Sequence, residues 1–130
     1  MTEPDDIDIE YLDPVDVEEL ITSAGFSVRD RNLLLSALAS PLPVFGEEVY
    51  PGLYNKAGIL MLAINRDHPL ADGNKRLSWV VTKGFLALNG HDLAADSVQE
   101  GNAFVRAVAS RQLDRVEIVA WIEGHAIRLV

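Results

Sequence analysis

The chain has no cysteine in its 130 residues. That excludes disulfides, thiolate nucleophiles and thiolate-bound zinc or iron–sulfur centres, and it suits a cytoplasmic protein. Long hydrophobic runs are missing too: no segment reaches the roughly 18 to 20 apolar residues that a bilayer span requires. The first ten residues, MTEPDDIDIE, carry neither the basic nor the apolar stretch of a signal peptide. No membrane association or secretion is expected. Basic residues are scarce, with 11 Lys and Arg against 20 Asp and Glu. A chain of net charge −9 lacks the cationic surface that neutralises a phosphate backbone, so no direct nucleic-acid binding is expected. Internal repeats and low-complexity blocks are absent as well.

The acidic residues are unevenly placed. Residues 1–30 hold ten of them and a single base, Arg29, which leaves the rest of the chain neutral. Residues 1–12 therefore read as a flexible acidic arm, and 13–130 as one domain around one hydrophobic core. Almost every segment of that domain reads as helix between capping signals. Asp13 and Pro14 start a first helix that Gly25 ends, and a second runs from about Asp30 to Ser40, where Pro41 and Pro43 stop it. A third, Leu53 to Asp67, is apolar nearly all round and should be central and buried. A fourth spans Asn74 to Leu88, with Asn89 and Gly90 as left-handed terminators. The spacings Asp96/Gln99 and Asp114/Glu117 start the last two, near 96–110 and 114–127. Residues 41–50, PLPVFGEEVY, hold two prolines and a glycine and predict a loop or short hairpin. The fold class is all-α, a compact bundle of about six helices.

Between the two most buried helices lies HPLADGNKR, residues 68–76. Gly73 permits a sharp turn, and the first N–H groups of the following helix, from Gly73, Asn74, Lys75 and Arg76, form an anion site by construction. Lys75 and Arg76 oppose the helix macrodipole there, at a cost of roughly 0.3 to 1 kcal/mol each, so a bound polyanion is the physical reason for them. Asp72 is placed to hold a Mg²⁺ bridging phosphate oxygens. An imidazole is the one side chain whose ordinary range spans neutrality, which suits His68 to the general base of phosphate-group transfer. The same residues singly also fit a helix C-cap and a turn. Elsewhere, His91 and His125 read as surface or capping residues, Trp79 and Trp121 as core, and Lys83 as a snorkelling surface side chain.

HPLADGNKR resembles the active-site motif of the Fic/Doc superfamily, H-P-F-x-D-G-N-[G/K]-R, in the lysine form carried by its Doc branch. LLLSALASP, YPGLYNKAGILMLAINRDHP, FLALNGHDL and FVRAVASRQLDRVEIVAWIE extend the likeness over roughly residues 30–123. The resemblance implies a Fic fold and, for Doc-type members, a toxin that phosphorylates a threonine of elongation factor Tu with ATP and Mg²⁺ and so arrests translation. It makes His68 the general base, Asp72 the metal ligand, Gly73 and Asn74 part of the anion cradle, and Lys75 and Arg76 the phosphate holders. AMP-transferring relatives have glycine in place of Lys75; the bulk of lysine favours γ-phosphoryl transfer. Residues 41–50 correspond to the family's flap, with Val44, Phe45 and Val49 as target contacts, and a Phd-like antitoxin whose C-terminal segment folds on the toxin is the implied partner. AMP transfer to a protein hydroxyl and a catalytically weak antitoxin-binding or co-repressor module are the alternatives. Leu70 departs from the usual phenylalanine, which implies either a loop held less firmly or neighbouring residues that fill the gap. No [S/T]-x-x-x-E-[G/N] self-inhibitory motif is present; VAWIEG has valine at its first position.

Overall fold

The computed structural model describes residues 3–129, and the ends of the expected arm (residues 1 and 2) and of the expected domain (residue 130) lie outside them. Six α-helices follow in chain order: α1 Pro14–Ser23, α2 Arg31–Ala39, α3 Leu53–Asp67, α4 Asn74–Leu88, α5 Val98–Ala109 and α6 Arg115–His125. As expected, the architecture is predominantly helical. Two short strands, β1 His91–Leu93 and β2 Ala126–Arg128, add an antiparallel pair with Asp92 opposite Ile127. The second strand takes the residues expected as the last turn of the final helix.

α3 is the axis of the bundle. Its side chains from Ala57 to Met61 and from Ala63 to Asn65 are all buried, as its unbroken apolar sequence requires. α2, α4, α5 and α6 surround it. Burial of a side chain such as Leu60, Met61 or Ile64, each at most 1% exposed, contributes about 1.5 to 3 kcal/mol. The caps mostly follow the sequence signals: Asp13 and Asp30 accept from the first turns of α1 and α2, and Asp114 with Glu117 forms a full capping box on α6. α5 differs by one residue, because Ser97 rather than Asp96 is its N-cap and accepts from the Glu100 N–H.

The acidic segment departs from the expected loose arm. Ile9 is buried in the core, and Asn89 holds Glu10 by accepting from its N–H at 2.8 Å and donating to its carbonyl at 2.8 Å. α3 has Gly52 at its N-cap and no side-chain cap of its own. Glu3 and Asp6 supply it from the arm, their carboxylates accepting from the N–H groups of Tyr54 at 3.0 Å and Gly52 at 2.8 Å. Negative charge at a helix N-terminus is favourable, so part of the arm's acidity caps the central helix.

One side chain expected at the surface or as a helix cap is instead in the core. His91 is buried, 3% exposed, against the edge of Tyr54. Lys83 keeps its expected place at the surface, its side chain 43% exposed. It donates to the Asp92 carboxylate and to the Leu93 carbonyl, both at 2.6 Å, and so ties α4 to β1. The hydrogen bond from Lys83 holds the Asp92 carboxyl below its ordinary pKa of 3.8. A lowered carboxyl pKa stabilises the fold above the unfolded-state value, and that stability is lost as pH falls through the folded-state value. Thermal melts should therefore show Asp92→Asn flattening the loss of melting temperature below about pH 4, with wild type and variant converging at the acid end.

Candidate functional site

The loop between α3 and α4 is held by bonds to its own backbone. α3 ends at His68, a non-glycine residue in the left-handed region (φ 50, ψ 60) whose N–H donates to the Ile64 carbonyl at 3.1 Å. Such a conformation costs on the order of 1 to 2 kcal/mol. Arg29 sustains it, donating from Nε and Nη2 to the His68 carbonyl at 3.0 and 2.7 Å and from Nη2 to the Asp67 carbonyl at 3.2 Å. A guanidinium on a helix C-terminus is also favoured by the macrodipole.

The next residues are strapped to the segment between α1 and α2. The N–H groups of Arg29 and Asp30 both donate to the Pro69 carbonyl, at 2.8 and 3.2 Å, and Ala71 N–H donates to the Ser27 carbonyl at 3.2 Å. Leu70, opposite Val28 in an isolated bridge, is 2% exposed. The smaller leucine is thus seated in the core, which accords with neighbouring residues filling the space rather than with a looser loop. Asn74 closes the turn, its Oδ1 accepting from Leu70 N–H at 2.9 Å and its Nδ2 donating to the Leu70 carbonyl at 3.0 Å. The side chain expected in the anion cradle is therefore engaged in building the loop. Gly73 has φ 87, and a Cβ on it would lie 2.6 Å from the Phe26 ring, so both conformation and space demand glycine.

This leaves one helix end open. α4 begins at Gly73 with no side-chain cap, whereas α1, α2, α5 and α6 carry their own caps and α3 receives carboxylates from the arm. Lys75 and Arg76 are exposed on this first turn, with Arg76 5.6 Å from the centroid of the Phe26 ring. Helical spacing places Lys75, Trp79 and Lys83 in line. They form one wall of a cleft of about 600 Å³ whose opposite wall includes Asn102 and Arg106 of α5. Four cations and no carboxylate line it, and its size falls in the range of small-molecule sites. Trp79, expected in the core, is only half-buried and faces this cleft.

His68 and Asp72 are exposed and are not among the cleft's lining residues. The His68 imidazole makes no hydrogen bond to any described residue; α3 is capped by His68's backbone, which leaves the ring free. Asp72 accepts from Gly73 N–H through Oδ1 at 2.8 Å, leaving Oδ2 for a cation. A single carboxylate is sufficient for Mg²⁺, which prefers one or two with phosphate oxygens completing its shell. Among the described residues the only group of three side chains with metal-ligating spacing is elsewhere, at Asp96, Glu100 and His125, whose ligand atoms lie within 4.8 Å of one another. There His125 Nε2 is already paired with Glu100 at 2.7 Å. Val44 and Phe45 lie on a hairpin with a two-residue turn, closed by Val44 and Glu47 exchanging backbone bonds at 2.9 and 3.0 Å, and Val49 follows two residues beyond it. Phe45 and Gly46 both have positive φ, as the mirror-image turn requires, and Phe45 at the tip is fully exposed.

The family model described as Fic/DOC family matches residues 10–86, which takes in the hairpin, the strapped loop and α4 to Leu86. The chain belongs to the Fic/Doc family. A curated Fic/Doc relative, Toxin Doc of Mycolicibacterium smegmatis, is 39% identical over 122 residues, covering 90% of this chain and 94% of that protein. No solved structure matches this Fic/Doc chain significantly. Among the described residues no helix is long and apolar enough to cross a membrane.

Phe26, Arg29 and Arg106 have no part in the sequence pattern of the loop. Phe26 and Arg29 lie about 40 residues before the loop they hold, and Arg106 faces Lys75 only because α5 packs on α4. Their contribution is testable. Arg29→Ala should lower stability by about 1 to 2 kcal/mol in urea melts and lower turnover more than nucleotide affinity. Gly73→Ala, forced against the Phe26 ring, should cost about 2 kcal/mol or more and weaken nucleotide binding in calorimetric titration.

Proposed function

We propose that this protein is a Doc-type toxin kinase that moves the γ-phosphate of ATP to a threonine hydroxyl of a translation factor, elongation factor Tu, in the cytoplasm, and so arrests translation. The observation that carries this reading is the uncapped N-terminus of α4, flanked by Lys75 and Arg76 and opening on a cationic cleft. Unpaired helix N–H groups, two cations and a Gly73 that admits close approach form a receptor for phosphate. Helix dipole and side chains act together there on charge that spreads over the transferring group.

In this reading the target hydroxyl oxygen forms a bond to the γ-phosphorus while the bond to the bridging oxygen breaks and ADP leaves. His68 takes the hydroxyl proton, since its ring is uncommitted and its backbone is fixed by Arg29. The N–H groups of Asn74, Lys75 and Arg76 and the side chains of Lys75 and Arg76 bind the phosphates, while the Asn74 side chain fixes the loop that aims them. Asp72 would hold Mg²⁺, which neutralises the phosphate oxygens when bound. Lys75, on the first turn, occupies space that glycine leaves open in AMP-transferring relatives, which supports γ-phosphoryl transfer. The hairpin of Val44, Phe45 and Val49 would dock the target chain by strand addition. Restraint by a Phd-like antitoxin accords with the curated toxin relative and with the missing self-inhibitory motif.

Purified protein incubated with Mg²⁺, elongation factor Tu and ATP labelled at either the α or the γ position tests the proposal. Label should pass to the target from γ-labelled ATP only, and His68→Ala should reduce the rate by about 10² to 10⁴-fold. Transfer from α-labelled ATP would instead identify AMP transfer. ATP bound without any transfer would leave a binding module.

A further inference from the structure

The cationic side chain buried deepest in the molecule has no part in the chemistry above. Lys56, in the second turn of α3, is 0% exposed, and lysine is almost never fully buried without a partner. Its Nζ donates to the Pro41 carbonyl at 2.8 Å and to Glu48 Oε2 at 2.5 Å, and it lies 5.7 Å from the centroid of the Tyr11 ring. Burial disfavours the ammonium, but the hydrogen bond to Glu48 and its neighbours outweigh that, and the pKa lies above the ordinary lysine value. The group is charged and fully engaged.

Its two partners stand at opposite ends of the hairpin. Pro41 is buried, and every residue from 42 to 49 is exposed. The segment has one bridge of its own, Val44 to Glu47, and a two-stranded piece that short does not hold its shape unaided. Beyond Glu48 the chain is fixed again, where the Asn55 amide donates to the Pro51 carbonyl and Arg115 lies 5.3 Å from the centroid of the Tyr50 ring. Among the described residues, only the Lys56 side chain bonds to both arms of the hairpin. A methionine or leucine would fill the same space in α3 with less desolvation, so a stability role alone does not explain a charge there.

We propose that Lys56 is a positioning residue that clamps the hairpin between Pro41 and Glu48 and thereby sets the affinity of the enzyme for its polypeptide substrate, without acting on the nucleotide. The inference about the substrate rests on the hairpin being the target dock; the clamp itself does not. α3 carries both Lys56 and, twelve residues later, the loop that begins at His68, so one rigid helix relates the bound target segment to the base.

Lys56→Met removes the ammonium at nearly constant volume, and Glu48→Gln removes the carboxylate at a side chain that is partly exposed and tolerates change. Hydrogen–deuterium exchange of residues 42–50 is read on both, beside initial rates with target and ATP varied in turn. The expected result is exchange at the Val44 and Glu47 amides faster by roughly tenfold or more, with the KM for the protein target raised about tenfold and the KM for ATP changed by less than about twofold. Unchanged exchange in either folded variant would overturn the clamp. Faster exchange with an unchanged target KM would overturn its role in substrate affinity. Should Lys56→Met fail to fold, Glu48→Gln decides alone. If the wild type transfers no phosphate to its target, the kinase reading fails, while the exchange rates still decide the clamp.

Discussion

The structure depends on how the backbone between its two most buried helices is satisfied. From Asp67 to Ala71 the chain runs between apolar elements, where an unpaired polar group costs about 1 to 3 kcal/mol. Arg29 takes the carbonyls of Asp67 and His68, the Arg29 and Asp30 amides take Pro69, Asn74 takes both polar groups of Leu70, and Ser27 takes Ala71. Apart from the His68 N–H, which bonds back to Ile64 of α3, these partners come from the segment before α2 and from Asn74 at the start of α4. Gly73 at the N-cap has no side chain and that of Asn74 is used in the loop, so the first turn of α4 is left without a side-chain cap.

The rest of the molecule holds the two helices that meet there. α3 is fixed by burial along its length and by carboxylates of the N-terminal segment at its start. α4 is tied to β1 by Lys83, which also lines the cleft. A side chain can serve packing and site at once because the cleft lies along the face of a helix whose other face is core. The aromatic stack of Phe104, Trp121 and His125, with ring centroids 3.8 Å apart at each step, fixes α5 against α6 behind it.

Local sequence information was enough for the central helices. Leu53–Asp67 and Asn74–Leu88 agree with their expected bounds because a left-handed residue or glycine ends or begins each. The cap of α5 was misplaced because Asp96 and Ser97 are both good caps, and only the packed structure selects Ser97. The strand pair could not be read from three-residue segments whose partners are 37 residues apart, His91 with Arg128. In the site, the residues of the motif itself were visible as a local conflict, two cations on a helix N-terminus. Phe26, Arg29 and Arg106 were not, since their roles come from contacts across the fold. The acidic segment was read by charge alone, which misses that Glu3 and Asp6 have specific N–H partners on α3.

The central claim is that the open first turn of α4 binds the phosphates of ATP. Titrating ¹⁵N-labelled protein with a non-hydrolysable ATP analogue and Mg²⁺, and following the backbone amide resonances, tests it most directly. The largest shifts should fall on the amides of Asn74, Lys75 and Arg76, with smaller ones along the cleft at Lys83, Gly101 and Asn102. Saturation of the protein with those three amides unmoved would contradict it.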